Sequence, residues 1–435
     1  MNYSETLSWL YCHLPMYQRI GAAAYKANLD NTIALCNLMG NPQNAFRSVH
    51  VAGTNGKGSV SHMLASILQE HGLKTGLYTS PHLKDFRERI RVNGQMIPKR
   101  KVTAFVKKYK EEFTSIQPSF FEMTVGMAFD HFREEQVDIA VVEVGMGGRL
   151  DSTNIITPLV SVITNISFDH MQFLGDTLEK IAIEKAGIIK PGIPVVIGET
   201  QPELESLFRE RANQAGSPIL FADQLQPQKT EIPNPKSQIP NPKSQIPNPK
   251  SQIADPFSHI HNPLQGLYQL KNLRTVLAVI SILRQLGYAM TGESVYAGIE
   301  RVVSNTGLQG RWQILRQQPL TICDSGHNEA GIREVVQQLS QTPHQHLHMV
   351  FGMVNDKEIG SILALLPKEA TYYFCKANIP RGLDARELNH QAEQAGLKGK
   401  AYGSVKKALI SARKTAGPED LIFIGGSTFV VAEVL

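Results

Sequence analysis

Short, nearly uninterrupted apolar runs, each closed by a turn, recur along this chain and constrain its fold more than any other feature. FRSVHVAG, VDIAVVEVG, LVSVITNIS and PVVIG are four of them. A strand with one wet face alternates apolar and polar residues. A continuous apolar run needs both faces covered, as in a parallel sheet flanked by helices. Helix-like stretches such as VSHMLASILQEHG lie between the runs. The alternation predicts an α/β fold with a mainly parallel sheet. The rhythm pauses at TGESVYAGIERVVSNTGLQGR and resumes with TICDSG, HLHMVFG, TYYFCKA and LIFIGG, four further strand candidates. A chain of 435 residues exceeds what one core usually serves. The reading therefore divides it near residues 308–310, into a large N-terminal and a smaller, Rossmann-like C-terminal α/β unit with a site between them.

Gly53-Thr54-Asn55-Gly56-Lys57-Gly58-Ser59 falls between the first strand and its helix, where a phosphate cradle belongs. Small residues let backbone N–H groups turn onto phosphate oxygens. The helix adds its positive end, Lys57 a cation, and Ser59 a hydroxyl able to ligate magnesium. The common pattern GxxxxGK[ST] is not met, because Val51 occupies its first glycine position and Gly58 follows the lysine. A purely structural glycine turn is the alternative. Lys57 together with Ser59 favours a nucleotide, and with it a P-loop-type first domain.

Three charged positions stand out on apolar elements. Glu143 lies inside VVEVG, and a carboxylate at the end of a buried strand needs a cation or hydrogen bonds. A metal is one compensation and Arg149 the plainer one. Asp169-His170 is read as ending another strand at the same sheet edge, where α/β proteins bind ligands. Lys185 shares an apolar helix stripe with Leu178 and Ile181, and on this pattern alone it is expected to snorkel to solvent.

The net charge of +5 is small for this length, and no long basic run argues for nucleic acid. KRKV and KKYK read as a solvated helix face. Cys12, Cys36, Cys323 and Cys375 are widely spaced, which argues against a zinc site or disulfide framework and fits a reducing cytoplasm. No secretory signal or membrane-spanning run is expected. IPNPKSQ occurs three times over residues 232–252. Its prolines favour extended chain without apolar mass to stack, so an exposed surface loop is expected rather than a solenoid.

GTNGKGS, TSPHLKDFRERIRVNG, SFFEMTVGMAF, VVEVGMGGRLDSTN, TNISFDHMQFLGDTLEKIAIEKAGIIKPG, QGRW, CDSGHN and GGSTFVVAEVL follow one another in that order. Together they resemble the folylpolyglutamate synthase/dihydrofolate synthase family, a branch of the Mur ligase superfamily. The resemblance runs from about Gly53 to the end, apart from the repeat.

It implies a magnesium- and ATP-dependent ligase, with two metal ions, that adds L-glutamate to dihydropteroate or reduced folates through an acyl phosphate. It implies that residues 1–308 form the ATP-binding domain and residues 309–435 the glutamate ligase domain. Gly53, Thr54, Asn55, Gly56, Lys57, Gly58 and Ser59 would bind ATP with Asn272, Arg311, Asp324 and His327. Ser80, Glu143 and His170 would be metal ligands, and Lys185 would be carbamylated. Phe121, Glu122, Leu150, Asp151 and Ser152 would face the pterin.

Tyr268-Gln269 replaces the family's usual histidine-glutamine, and Asp324-Ser325-Gly326-His327-Asn328-Glu329 departs from its usual form. Partners are expected to be small molecules, without nucleic acid or membrane, and the chain a monomer. A peptidoglycan-type Mur ligase needs more chain before Gly53 than is present. A nucleotide switch without ligase chemistry leaves Glu143, His170 and Lys185 unexplained.

Overall fold

Two sheets organise the chain, which the computed structural model describes over residues 1–16, 28–225, 262–355 and 359–435. The IPNPKSQ repeat lies outside the described residues. The first sheet has eight strands: β1 (Arg47–Ala52), β2 (Thr75–Tyr78), β3 (Ile90–Val92), β4 (Gln95–Met96), β5 (Ile139–Glu143), β6 (Val160–Ile163), β7 (Val195–Ile197) and β8 (Ile219–Phe221). Their order is β4-β3-β2-β5-β1-β6-β7-β8, and only the pairings at β3 and β4 are antiparallel.

β5 shows why the apolar runs are continuous. Ile139 and Val141 point to one face, against the helices Lys57–Glu70, Gln269–Gln285 and Gly292–Glu300. Ala140 and Val142 point to the other, against Lys99–Ile116 and Phe120–Glu134. Successive side chains alternate between two apolar layers, so every position is buried.

The second sheet contains β9 (Gln313–Gln317), β10 (Leu320–Cys323), β11 (Leu347–Phe351), β12 (Thr371–Cys375), β13 (Lys398–Tyr402) and β14 (Leu421–Gly425), in the order β13-β12-β11-β14-β10-β9. The four apolar candidates of the second half form its four inner strands. The outer two, β9 and β13, are polar and half-exposed. An edge strand has no need of apolar residues on both faces, which is why apolar runs do not reveal it. The basic clusters KRKV and KKYK fall on Lys99–Ile116, whose buried side is Val102, Phe105, Val106, Tyr109 and Phe113. They form the expected solvated face.

Candidate active site

β5, β1 and β6 are neighbours, with Val51 beside Glu143 and Ala52 beside Ile163, so their carboxyl ends open onto one crevice. After β1 the chain turns through Gly53 (φ +137°) and Gly56 (φ +87°) before the helix begins at Lys57. A Cβ on Gly53 would lie 1.9 Å from Thr164 Oγ1, and one on Gly56 2.3 Å from Asn272 Oδ1, so only glycine fits either place. The Thr54 amide donates to the Asn165 carbonyl (2.8 Å), the Asn55 amide to Asn165 Oδ1 (3.0 Å), and the Ser167 amide to Thr54 Oγ1 (3.0 Å). Alanine at Gly53 adds a clash to backbone strain and is expected to cost about 2 kcal/mol or more. Thermal unfolding of Gly53→Ala checks this, and an unchanged Tm contradicts it.

Lys57 folds back over the loop, its ammonium donating to the carbonyls of Gly53 and Thr54, each at 3.0 Å. Lys185, from the helix Leu178–Ala186, donates to the same Gly53 carbonyl at 2.9 Å. It is 4% exposed, so the expected snorkelling does not occur. The stripe faces inward, and Ile181, Ala182 and Ala186 are buried with it. Burial lowers the Lys185 pKa to about 7, and repulsion from Lys57 acts in the same direction.

Glu143 is equally buried. Its Oε2 accepts from the Ser80 amide at 3.2 Å, while burial drives its pKa up to about 7 against the pull of Lys57. Arg149, the plainer partner, pairs instead with Glu184 at 2.8 Å. Gly58 brings the helix start against this carboxylate, since a Cβ there would meet both Glu143 oxygens at 3.9 Å and Arg311 Nη2 at 3.5 Å.

Asp169 and His170 do not end a strand. β6 stops at Ile163, and His170, with φ +52°, opens the short helix Met171–Leu174. Asp169 reaches the second sheet's domain: Asn328 Nδ2 donates to it at 3.2 Å and His327 Nε2 lies 3.5 Å away. Asn55 and Asn328 exchange amide hydrogen bonds of 3.2 and 3.0 Å. Asp324 accepts from the amides of Trp312 (2.7 Å) and Gly326 (2.8 Å) and from the Tyr268 hydroxyl. Arg311 donates to Ser325 Oγ. Asn272 donates to Gln269 Oε1 (2.8 Å), whose amide in turn donates to the Ser59 hydroxyl (3.1 Å).

The residues to which the family resemblance gives a role all line one cavity of about 580 Å³, from Gly53 through Ser59 to Ser80, Phe121, Glu122, Glu143, Leu150, Asp151, Ser152, His170, Lys185, Asn272, Arg311, Asp324 and His327. Lining is not contact with a ligand, and Asp151 shows the difference. Its carboxylate is occupied by the amides of Gly145, Met146 and Thr153 and by the Thr153 hydroxyl, so it shapes the turn. Glu122 closes a capping box with Ser119, and its Oε1 is buried without a partner. Among the described residues, no three His, Cys, Asp or Glu side chains converge as a metal cluster, and Ser80, Glu143 and His170 contain only two such groups. Asn165 and Arg89, both on the cavity wall, escaped the sequence reading because neither breaks an apolar pattern.

Residues 51–280 match the Mur ligase middle domain, and residues 310–428 the Mur ligase glutamate ligase domain. The dihydrofolate synthase/folylpolyglutamate synthase of Bacillus subtilis is 30% identical over 451 residues, covering 99% of this chain and 98% of that protein. The chain belongs to the folylpolyglutamate synthase/dihydrofolate synthase family. It is also 31% identical to the folylpolyglutamate synthase of Lacticaseibacillus casei, over 100% of this chain and 98% of that one. A Haloferax volcanii protein named for folylpolyglutamate synthase and dihydropteroate synthase is 34% identical across the whole chain, which spans 50% of its length. Among solved structures, Escherichia coli FolC in complex with DHPP and ADP superposes with a TM-score of 0.81 at 28% identity, covering 100% of this chain and 97% of that one. Mycobacterium tuberculosis folylpolyglutamate synthase complexed with ADP and AMPPCP gives 0.82 at 30% identity, covering 100% and 98%. Membership in this family makes the chain an ATP-dependent, amide-forming ligase. No helix among the described residues is long and apolar enough to cross a membrane.

Proposed function

We propose that this chain joins L-glutamate to the carboxylate of dihydropteroate, of reduced folates, or of both, using MgATP. The observation that carries the reading is the convergence of Lys57, Glu143 and Lys185 on a glycine loop in a cavity whose wall includes Phe120 and Phe121. Charge handling and an aromatic surface for a flat heterocycle share one space.

A divalent cation fits the donor set. The Glu143 carboxyl is buried with a single amide on it, and a carboxylate so placed is stabilised by a cation. Ser80, Glu143 and His170 would hold magnesium, two ions in all, with carbamylated Lys185 as a further oxygen donor. When bound, the metal neutralises charge on the γ-phosphoryl group during transfer.

The protein's own groups do the rest. The loop from Thr54 to Lys57 holds the ATP phosphates, chiefly through the amides of Gly56 and Lys57 and the Lys57 ammonium, while Asn272, Arg311, Asp324 and His327 hold the nucleotide. Phe121, Glu122, Leu150 and Ser152 face the pterin, and Asp151 supports them through its turn. An acceptor carboxylate oxygen attacks the γ-phosphorus and ADP leaves. The α-amino group of glutamate attacks the resulting acyl phosphate, loses a proton, and phosphate leaves. Contacts of Asn328 and His327 with Asn55 and Asp169 draw the second domain over the loop, excluding water that would hydrolyse the intermediate.

We place the domain boundary at residues 308–309, between the helix ending at Thr306 and β9, where Gly307 and Gly310 both have positive φ. A cytoplasmic monomer is proposed, consistent with four unpaired cysteines.

The test is glutamate-dependent ADP release with MgATP, run separately with dihydropteroate and tetrahydrofolate. Release with both acceptors is expected of a bifunctional enzyme, and release with tetrahydrofolate alone of one restricted to polyglutamylation. ATP hydrolysis indifferent to acceptor and glutamate overturns the reading.

A further inference from the structure

One buried cation in the cavity wall has no part in this chemistry. Arg89 ends the short turn Phe86–Arg89 just before β3, is 3% exposed, and lines the cavity. Its Nε–H donates to His82 Nδ1 at 2.8 Å, and its guanidinium lies 5.5 Å from the centre of the Phe120 ring. Neither neighbour supplies a counter-charge, since Phe120 is apolar and His82 accepts the hydrogen bond through the Nδ1 lone pair. The carboxylates of its own turn are engaged elsewhere, and Glu143 attracts it without forming an ion pair. Asp85 pairs with Arg87 at 2.7 Å, and Glu88 accepts from the amides of Leu83, Lys84 and Asp85. Among the described residues no carboxylate forms an ion pair with Arg89.

A buried guanidinium without a paired carboxylate is costly, and its planar fork matches a carboxylate through two parallel hydrogen bonds. Its position favours the acceptor over ATP. Lys57 lies over the glycine loop and Arg311 beside Gly58, while Arg89 sits against Phe120, next in sequence to Phe121 and Glu122.

We propose that Arg89 is a substrate-binding residue whose guanidinium takes a carboxylate of the acceptor at the aromatic wall of the cavity. The assignment rests on the folate-ligase reading. Two carboxylates share this chemistry: the reacting one, present on dihydropteroate and on folates, and a non-reacting neighbour present on folates alone.

The test compares Arg89→Gln and Arg89→Lys with the unmodified chain in glutamate-dependent ADP release with each acceptor. In Arg89→Gln the acceptor KM is expected to rise about 30-fold or more. The rise is smaller in Arg89→Lys, and the KM values for ATP and glutamate stay as they were. A rise with both acceptors identifies the reacting carboxylate, and a rise with tetrahydrofolate alone identifies its neighbour. Equilibrium binding of tetrahydrofolate and its diamide supplies a readout free of turnover: the unmodified chain prefers the carboxylates, and Arg89→Gln erases that preference. If Arg89→Gln does not fold, Arg89→Lys carries the test, because charge remains and only the fork is lost. Unchanged acceptor KM in the folded variants, or a surviving carboxylate preference in Arg89→Gln, overturns the assignment. Failure of the unmodified chain to release ADP with either acceptor is instead a failure of the ligase reading, and this assignment falls with it.

Discussion

Glutamine at position 143 is expected to reduce glutamate-dependent ADP release by about a thousandfold while leaving the protein at least as stable. Glu143→Gln keeps the side chain's shape and removes the charge that a divalent cation needs, and metal-ion stabilisation of transferring phosphoryl groups amounts to several kcal/mol. Stability follows a different ledger. The carboxylate is 4% exposed and burial raises its pKa to about 7, so the folded state resists its ionisation. Between its ordinary pKa and about 7 the folded form binds more protons than the unfolded one, and stability falls as pH rises through that window. A neutral amide escapes that penalty. Initial rates and thermal unfolding at neutral pH separate the two effects. A variant retaining more than a tenth of the activity would remove Glu143 from the metal site.

Methionine at position 185 is expected to cost at least about a hundredfold in rate, again without loss of stability. The Gly53 carbonyl would still hold the Lys57 ammonium, and exchanging a buried amine for an apolar chain of similar length is neutral or favourable. The activity loss would then belong to the missing carbamate. That modification needs the unprotonated amine, whose nitrogen attacks CO2 and gives up a proton. With a pKa lowered to about 7, Lys185 is largely unprotonated above that pH and protonated below it. Protein stripped of CO2 and bicarbonate is therefore expected to lose activity and regain it on adding bicarbonate, faster above pH 7 than below. Full activity without bicarbonate, or a Lys185→Met variant as active as its parent, would show that Lys185 carries no carbamate.

How much of this site could be read beforehand depended on the kind of residue. Glu143 was legible because a charge inside VVEVG breaks an apolar pattern, and Gly53 to Ser59 because a glycine loop between strand and helix has a physical purpose. Lys185 was legible as an inward position but misread in its consequence. Periodicity shows which face a side chain takes, not whether its end reaches solvent. Asp169 and His170 were placed at a strand end because β6, four residues long, stops sooner than the apolar run LVSVITNIS implies. Asn165 and Arg89 left no mark in any pattern. A polar residue in a loop, or an arginine in FRERIRV among other charged residues, looks solvated until the chain folds over it.

The amino-acid sequence by itself determined the layers: parallel strands covered on both faces, two sheets, and a turn after β1 that requires glycine. These follow from local periodicity and backbone sterics, which act over a few residues. Only the tertiary structure decided which distant groups meet. Lys185 reaches across 132 residues of chain to the Gly53 carbonyl that Lys57 also holds, and Asn55 pairs with Asn328 across 273. It also decided that Arg149 turns to Glu184 and that Arg89 is left without a carboxylate. The physical reason is that desolvation and charge pairing depend on the whole surroundings of a group, which strand order and packing set and no local pattern records.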